Sequence, residues 1–241
     1  MKAVLRYSHK PRKIKVANIP FPKLGKSKKH AILNVKYAGI CGRDLEHYET
    51  NLSLSKVPYV LGHEFSGTIS KLPNSKKNKF KLGERVVSET VDQVCEKCFF
   101  CKSGFYNLCK KRKNIGGTIN GAFASNIKVP IKYIHKLPKE ISFEEGALIE
   151  PMCVCYNAVL KNSEIKKNDL VVIIGAGTMG LICLKFAIFK KAKVIMIGHP
   201  TDKLQLKLAK KNGAYKIFTS NQDYVSLIGK ITKEMGSKLV I

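Results

Sequence analysis

Four cysteines fall within fifteen residues, in the order Cys95-x2-Cys98-x2-Cys101-x7-Cys109. Zinc is held tetrahedrally by thiolates, and two-residue gaps let neighbouring sulfurs converge on one ion without straining the backbone. Four soft ligands with no histidine among them fit a closed structural site better than an open catalytic one. A disulfide pair would suit a small secreted domain, and nothing in this chain reads as an export signal. Iron–sulfur runs share the first three cysteines, but they continue with a cysteine after three residues and then proline, not after seven. The run therefore predicts a structural zinc lobe over residues 91–112.

A second constellation is the stretch LVVIIGAGTMG. It carries Gly175-x-Gly177-x-x-Gly180 directly behind a β-branched run. The first glycine permits a tight turn, and the second lets a pyrophosphate approach the backbone. The third lets helix and strand pack closely, while the helix N-terminus attracts the anion. Thr178 and Met179 complete that turn. An acidic residue is expected about twenty positions on to hold the adenosine ribose. Gly198 stands there, followed by His199 and Pro200. Without the carboxylate a 2′-phosphate is not repelled, and His199 or Lys203 supplies positive charge, so the pattern leans to NADP over NAD. Asp202 starts the next helix or reaches back to a ribose hydroxyl.

The third set is scattered: Cys41 in GICGRD, His63 in LGHEFSG and Glu150 in IEP. Each has a plain reading alone, as a buried thiol, a core imidazole and a helix-end carboxylate. Together they offer three zinc ligands and leave a fourth position open, which is the arrangement of a catalytic metal.

The elements that must position these groups change character along the chain. Residues 31–36 alternate, 65–71 read as a strand, and a turn precedes a short strand at 85–88. The cysteine run sits as a loop excursion between strands. Residues 138–150 lead into helical spacing that continues to 160. From 170 the pattern alternates: strand 170–174, helix 179–189, strand 193–197, helix 202–211, then strands at 217–219 and 238–241 with a helix between them. Such alternation predicts a parallel sheet. The apolar stretch 170–189 has the length of a membrane span, but its three glycines make it strand, turn and helix, so no membrane association is expected.

The chain has 241 residues, with 44 Lys and Arg against 17 Asp and Glu, for a formal net charge of +27. Only five of the basic residues are arginine, the usual bidentate reader of phosphates and bases. Lysine pairs such as Lys166-Lys167 and Lys190-Lys191 are spread along the chain rather than clustered with aromatics, so a basic zinc-stabilised nucleic-acid binder is disfavoured. Eight cysteines without an export signal point to a reducing, cytoplasmic compartment.

In order, the stretches GICGRD, GHEFSG, KLGERVV, the four-cysteine lobe, GGTINGAFAS, LIEP and GAGTMG resemble the zinc-dependent medium-chain dehydrogenase/reductase family. The resemblance covers essentially the whole chain. It implies an α/β architecture: a β-rich GroES-like catalytic domain over residues 1–156, then a partial Rossmann doubly wound parallel sheet over 157–241. It also implies two zinc ions per chain. Cys41, His63 and Glu150 would hold the catalytic one, with Glu64 beside it as an occasional ligand and Asp44 as the carboxylate that orients His63. A glutamate as third ligand is similar to the sorbitol, threonine and sugar dehydrogenase branch. The implied activity is hydride exchange between NAD(P) and a secondary alcohol, polyol or sugar, with the metal acidifying the hydroxyl.

Three departures from the family pattern stand out. Arg43 occupies the position of the usual Ser or Thr proton relay, which a guanidinium cannot replace because it does not deprotonate at neutral pH. Glu46 or His47 is then left to carry the proton, unless Arg43 binds an acidic substrate group or a cofactor phosphate, or simply pairs with a nearby carboxylate. Asn157 stands where relatives often have histidine. The chain also stops at its apparent fourth Rossmann strand, as a fragment or a truncated product would. A binder of zinc and cofactor without turnover is therefore the second reading, and a homo-oligomer is expected of the full-length protein.

Overall fold

The computed structural model describes residues 1–25, 28–51, 57–74 and 79–241. Two compact units emerge, Met1–Glu150 and Pro151–Ile241.

The first unit opens with an antiparallel hairpin, β1 (Lys2–Arg6) and β2 (Ile14–Asn18). It continues through β3 (His30–Gly39), helix α1 (Gly42–Glu49), β4 (Tyr59–Val60), β5 (Glu64–Lys71) and β6 (Arg85–Ser88). Then come β7 (Val91–Gln93), helix α2 (Phe99–Lys102), β8 (Lys113–Asn114), β9 (Asn126–Pro130), β10 (Ile134–Lys136) and helix α3 (Phe143–Ala147). Its main sheet has the order β10-β6-β5-β3-β9, and a smaller one has the order β2-β1-β4. Ala31, Leu33, Phe65, Ile69, Val86, Ile127 and Val129 bury one apolar layer against this sheet. The alternation read over 31–36 belongs to a longer strand, because β3 carries both β5 and β9 along its length. At Gly67 the β5 backbone approaches β3 so closely that a Cβ would run into the Asn34 carbonyl oxygen.

The cysteine excursion is more ordered than a loop. Strands β7 and β8 pair antiparallel and close its base. Between them lie α2 and a 3-10 turn at Tyr106–Leu108.

Helix α1 was not foreseen from hydrophobic periodicity, because it is short and polar. Capping and charge hold it instead. Cys41 and Asp44 form a reciprocal capping box at its start, which satisfies orphan amide donors. At its end the Arg6 guanidinium, 1% exposed, donates to the Thr50 carbonyl at 2.9 Å and to those of Ser8 and His9. A cation at a helix C-terminus complements the macrodipole.

The second unit contains most of helix α4 (Ile149–Tyr156), a π-helical turn at Asn157–Lys161, β11 (Leu170–Ile174), α5 (Thr178–Phe189) and β12 (Lys193–Gly198). After these come α6 (Lys203–Lys211), β13 (Lys216–Thr219), α7 (Tyr224–Thr232) and β14 (Leu239–Val240). All pairs in its sheet are parallel, in the order β13-β12-β11-β14. Strands of a parallel sheet are covered on both faces and read as continuous apolar runs, as LVVII and VIMI do here. Val171, Ile173, Val194 and Met196 pack with Leu184, Ala187, Leu206 and Ala209 on one face. Val172, Ile195 and Ile197 pack with Phe218, Tyr224 and Ile228 on the other. Among the described residues no helix is long and apolar enough to cross a membrane.

Candidate metal and cofactor sites

Cys95, Cys98, Cys101 and Cys109 present their sulfurs within 4.8 Å of one another. All four thiols are unpaired in this structure. The Cys98–Cys101 and Cys95–Cys101 sulfur separations are 3.5 and 3.9 Å. A tetrahedron with metal–sulfur bonds of about 2.3 Å has an edge of about 3.8 Å, so these spacings suit one zinc ion. Backbone amides also turn toward the sulfurs: Cys98 N–H donates to Cys95 Sγ at 3.3 Å, and Cys95 N–H to Cys109 Sγ at 3.5 Å. The amides of Lys97 and Cys98 lower the Cys95 thiol to about 6. Burial among the neighbouring thiols raises Cys101 to about 12.

The second cluster joins three separate elements. Cys41 caps α1, Glu64 opens β5, and His63 lies between β4 and β5. Their ligand atoms also lie within 4.8 Å of one another. Sulfur, imidazole nitrogen and carboxylate oxygen are a donor set that zinc accepts. Glu64, 6% exposed, faces Gly39 across the β3–β5 ladder, and a side chain at Gly39 would collide with its carboxylate. Glu150 is not a member of this three-residue group. It lines a cavity of about 180 Å³ together with His63, Arg43, His47, Thr90, Asn114 and Gly116. Burial raises the Glu150 carboxyl above its usual range, with the Glu64 charge adding to the effect and His63 opposing it. Burial likewise raises the Cys41 thiol, assisted by Glu64 and Asp44 and opposed by the Arg43 amide.

Asp44 organises the ligands through their backbones. It is 4% exposed, and its Oδ2 accepts the Cys41 N–H at 3.0 Å while its Oδ1 accepts the Gly62 N–H at 3.2 Å. Its Oδ1 lies 3.8 Å from His63 Nδ1, beyond hydrogen-bond distance. The loop behind it is packed backbone on backbone: a Cβ at Gly116 or Gly121 would strike the Gly62 carbonyl.

Arg43 turns to its own helix. Its Nη1 lies 2.6 Å from Glu46 Oε2, and both side chains are about two-fifths exposed (43% and 39%). His47 is different: 2% exposed, with Nδ1 2.8 Å from the Tyr59 hydroxyl. Tyr59 and the buried Arg6 left no motif in the sequence, since neither spacing nor composition marks a side chain that acts through burial.

In the second unit Gly175 takes φ +108°, in the region that favours glycine, and Gly177 caps α5. A Cβ at Gly180 would meet the Gly175 carbonyl oxygen, so the third glycine is required by helix–strand contact. Gly198 is buried, and a Cβ there would lie 2.9 Å from Leu206 Cδ2 and 3.1 Å from Ala176 Cβ. A side chain there would press on the terminal methyl of Leu206, which would have to shift. The first exposed residue beyond the strand is His199, whose Nδ1 lies 2.7 Å from Thr201 Oγ1. The Asp202 carboxylate accepts the His199 N–H at 2.9 Å, which ties it to the turn.

A sorbitol dehydrogenase from Halalkalibacterium halodurans is 37% identical over an alignment covering all of this chain and 69% of that protein. The chain belongs to the zinc-dependent medium-chain dehydrogenase/reductase family. The family's Alcohol dehydrogenase GroES-like domain matches residues 27–139. Among solved structures, galactitol-1-phosphate dehydrogenase from Escherichia coli superposes with a TM-score of 0.88 at 30% identity, over all of this chain and 67% of that one. A zinc-binding dehydrogenase from Sinorhizobium meliloti 1021, bound to NADP, gives 0.84 at 30% identity over 93% of this chain and 64% of its own. The chain thus spans about two thirds of the length of these medium-chain relatives. The GroES-like unit with a parallel-sheet partner agrees with the architecture expected from the motifs.

Proposed function

We propose that this chain carries the metal and dinucleotide sites of a zinc-dependent oxidoreductase that exchanges hydride between NAD(P) and a hydroxyl of a polyol. The observation that carries the reading is the convergence of Cys41, His63 and Glu64 donor atoms within 4.8 Å, with His63 and half-buried Glu150 lining one cavity beside them. Cys41 and His63 would hold the catalytic zinc with Glu64 or Glu150 as the carboxylate ligand, and the four-cysteine lobe would hold a second, structural ion. Zinc bound there supplies Lewis-acid polarisation of the substrate oxygen. Asp44 keeps Cys41 and His63 in place by binding the backbone on both sides of the cluster. The sorbitol and galactitol-1-phosphate activities named for relatives support a polyhydroxylated substrate.

The dinucleotide would lie on the turn of Gly175, Gly177, Thr178, Met179 and Gly180. NADP is favoured over NAD because Gly198 carries no carboxylate, Asp202 is held by the His199 amide, and His199 and Lys203 leave the loop without net negative charge.

Metal analysis of the purified chain, paired with NADP+ and NAD+ reduction over a panel of polyols, tests the proposal. Two zinc ions per chain and polyol-dependent reduction are expected. Fewer than two ions, or no reduction of either cofactor, overturns it.

A further inference from the structure

The geometry points to His47 as the group that takes the substrate hydroxyl proton, with Tyr59 positioning its ring. This inference rests on the oxidoreductase reading above. A polyol losing hydride from carbon must also lose the proton on its oxygen. At the position where a relay hydroxyl would stand, this chain has Arg43, which cannot accept a proton. Glu46, the nearer alternative in sequence, is engaged by Arg43 at 2.6 Å and does not line the cavity of His63 and Glu150. His47 is the remaining base of that helix that lines the cavity shared by His63 and Glu150.

Its surroundings suit an acceptor. The Tyr59 hydroxyl occupies the Nδ1 edge at 2.8 Å, and Tyr59 does not itself line the cavity. With Nδ1–H donating to Tyr59 Oη, the lone pair that a hydroxyl proton needs lies on Nε2, for which the described residues supply no hydrogen-bond partner. Tyr59 is 3% exposed and meets the imidazole edge to face, at 6.2 Å and 79°, so the ring has one supported orientation. Burial first, then the guanidinium charges of Arg43 and Arg6, hold the imidazole below its ordinary range, while Asp44 and Glu46 oppose them weakly. His47 is therefore neutral at neutral pH and ready to accept. The balance closes simply: the C–H pair leaves as hydride to NAD(P)+, the O–H proton goes to His47 Nε2, and the C–O bond becomes a carbonyl. The imidazolium then returns its proton to solvent, favoured by the two nearby guanidiniums.

The test is a pH series of polyol oxidation by the zinc-loaded chain, run beside a 15N NMR titration of the His47 ring, which needs no turnover. In the wild type, kcat should fall on the acid side with a midpoint below about 6.5, matching the NMR midpoint. His47→Gln should lower kcat about 100-fold and remove that limb while zinc content stays at the wild-type level. Tyr59→Phe should shift both midpoints together to lower pH, because the imidazolium loses its acceptor. A structural histidine would not move the kinetic and NMR midpoints in step. If His47→Gln keeps kcat within threefold with the acid limb intact, or Tyr59→Phe moves the NMR midpoint alone, the inference is overturned and the oxidoreductase reading stands. If the wild type reduces neither cofactor with any polyol, the functional reading fails and this inference falls with it.

Discussion

The Asp44 carboxylate accepts the backbone N–H of Cys41 at 3.0 Å, and with its other oxygen it accepts that of Gly62. One buried side chain therefore fixes the start of α1 against the turn that presents His63. Partners behind metal ligands commonly contribute 10- to 100-fold in metal affinity. Asp44→Ala should weaken zinc at the three-element cluster by about that factor, while the four-cysteine lobe keeps its ion. Asp44→Asn should fall between, since an amide presents one acceptor oxygen where both carboxylate oxygens are used. Competition against a chromophoric chelator, resolving two zinc equivalents, checks the order.

The four-cysteine lobe makes a sharper prediction about its own thiols. Backbone amides lower Cys95 to about 6, and burial raises Cys101 to about 12. A thiol reacts as its thiolate, so in metal-free protein Cys95 should alkylate from near pH 6 upward and Cys101 should lag at every pH below 10. Zinc should protect all four together. Peptide mass mapping after brief iodoacetamide treatment reads this directly, and equal labelling of Cys95 and Cys101 at pH 7 would contradict it.

Much of this was legible in the chain, and the remainder has a physical reason. The parallel strands were readable because burial on both faces leaves continuous apolar runs, and the cysteine and glycine spacings because each depends on local backbone geometry. Helix α1 was not, since it is short and held by a capping box and by Arg6, and the residues it buries are the polar Asp44 and His47 rather than an apolar run. Glu64 was expected beside Cys41, His63 and Glu150; what the motifs could not show is that its place depends on Gly39 leaving room across a strand pair. The alternatives open for Arg43 turn on a rotamer: its guanidinium lies on Glu46, a contact between neighbours on one helix turn that composition cannot show.

That ion pair carries its own prediction. Exposed pairs contribute about 0.2–1 kcal/mol, so Arg43→Gln should change the stability of the zinc-loaded chain by less than about 1 kcal/mol in urea denaturation. The same substitution removes one of the two charges that hold His47 low. The His47 midpoint should therefore rise, and the acid limb of activity should move to higher pH. A stability loss well beyond that range would mean that Arg43 has a buried partner, and an unmoved midpoint would mean that its charge does not reach the ring.

Cofactor choice can be tested at two adjacent positions with opposite outcomes. An aspartate at Gly198 must displace Leu206 and Ala176, and overpacking of this kind costs about 1–3 kcal/mol. Gly198→Asp should therefore destabilise the second unit and weaken NAD and NADP alike. His199 is exposed and has room, so His199→Asp should leave stability unchanged and place a carboxylate where a 2′-phosphate would be repelled. The ratio of NADP to NAD affinity, measured by calorimetry, should then fall at least tenfold, equivalent to about 1.4 kcal/mol. If Gly198→Asp instead folds normally and selects NAD, the ribose is read from the strand end itself, and the close packing of Leu206 gives way more easily than its contacts indicate.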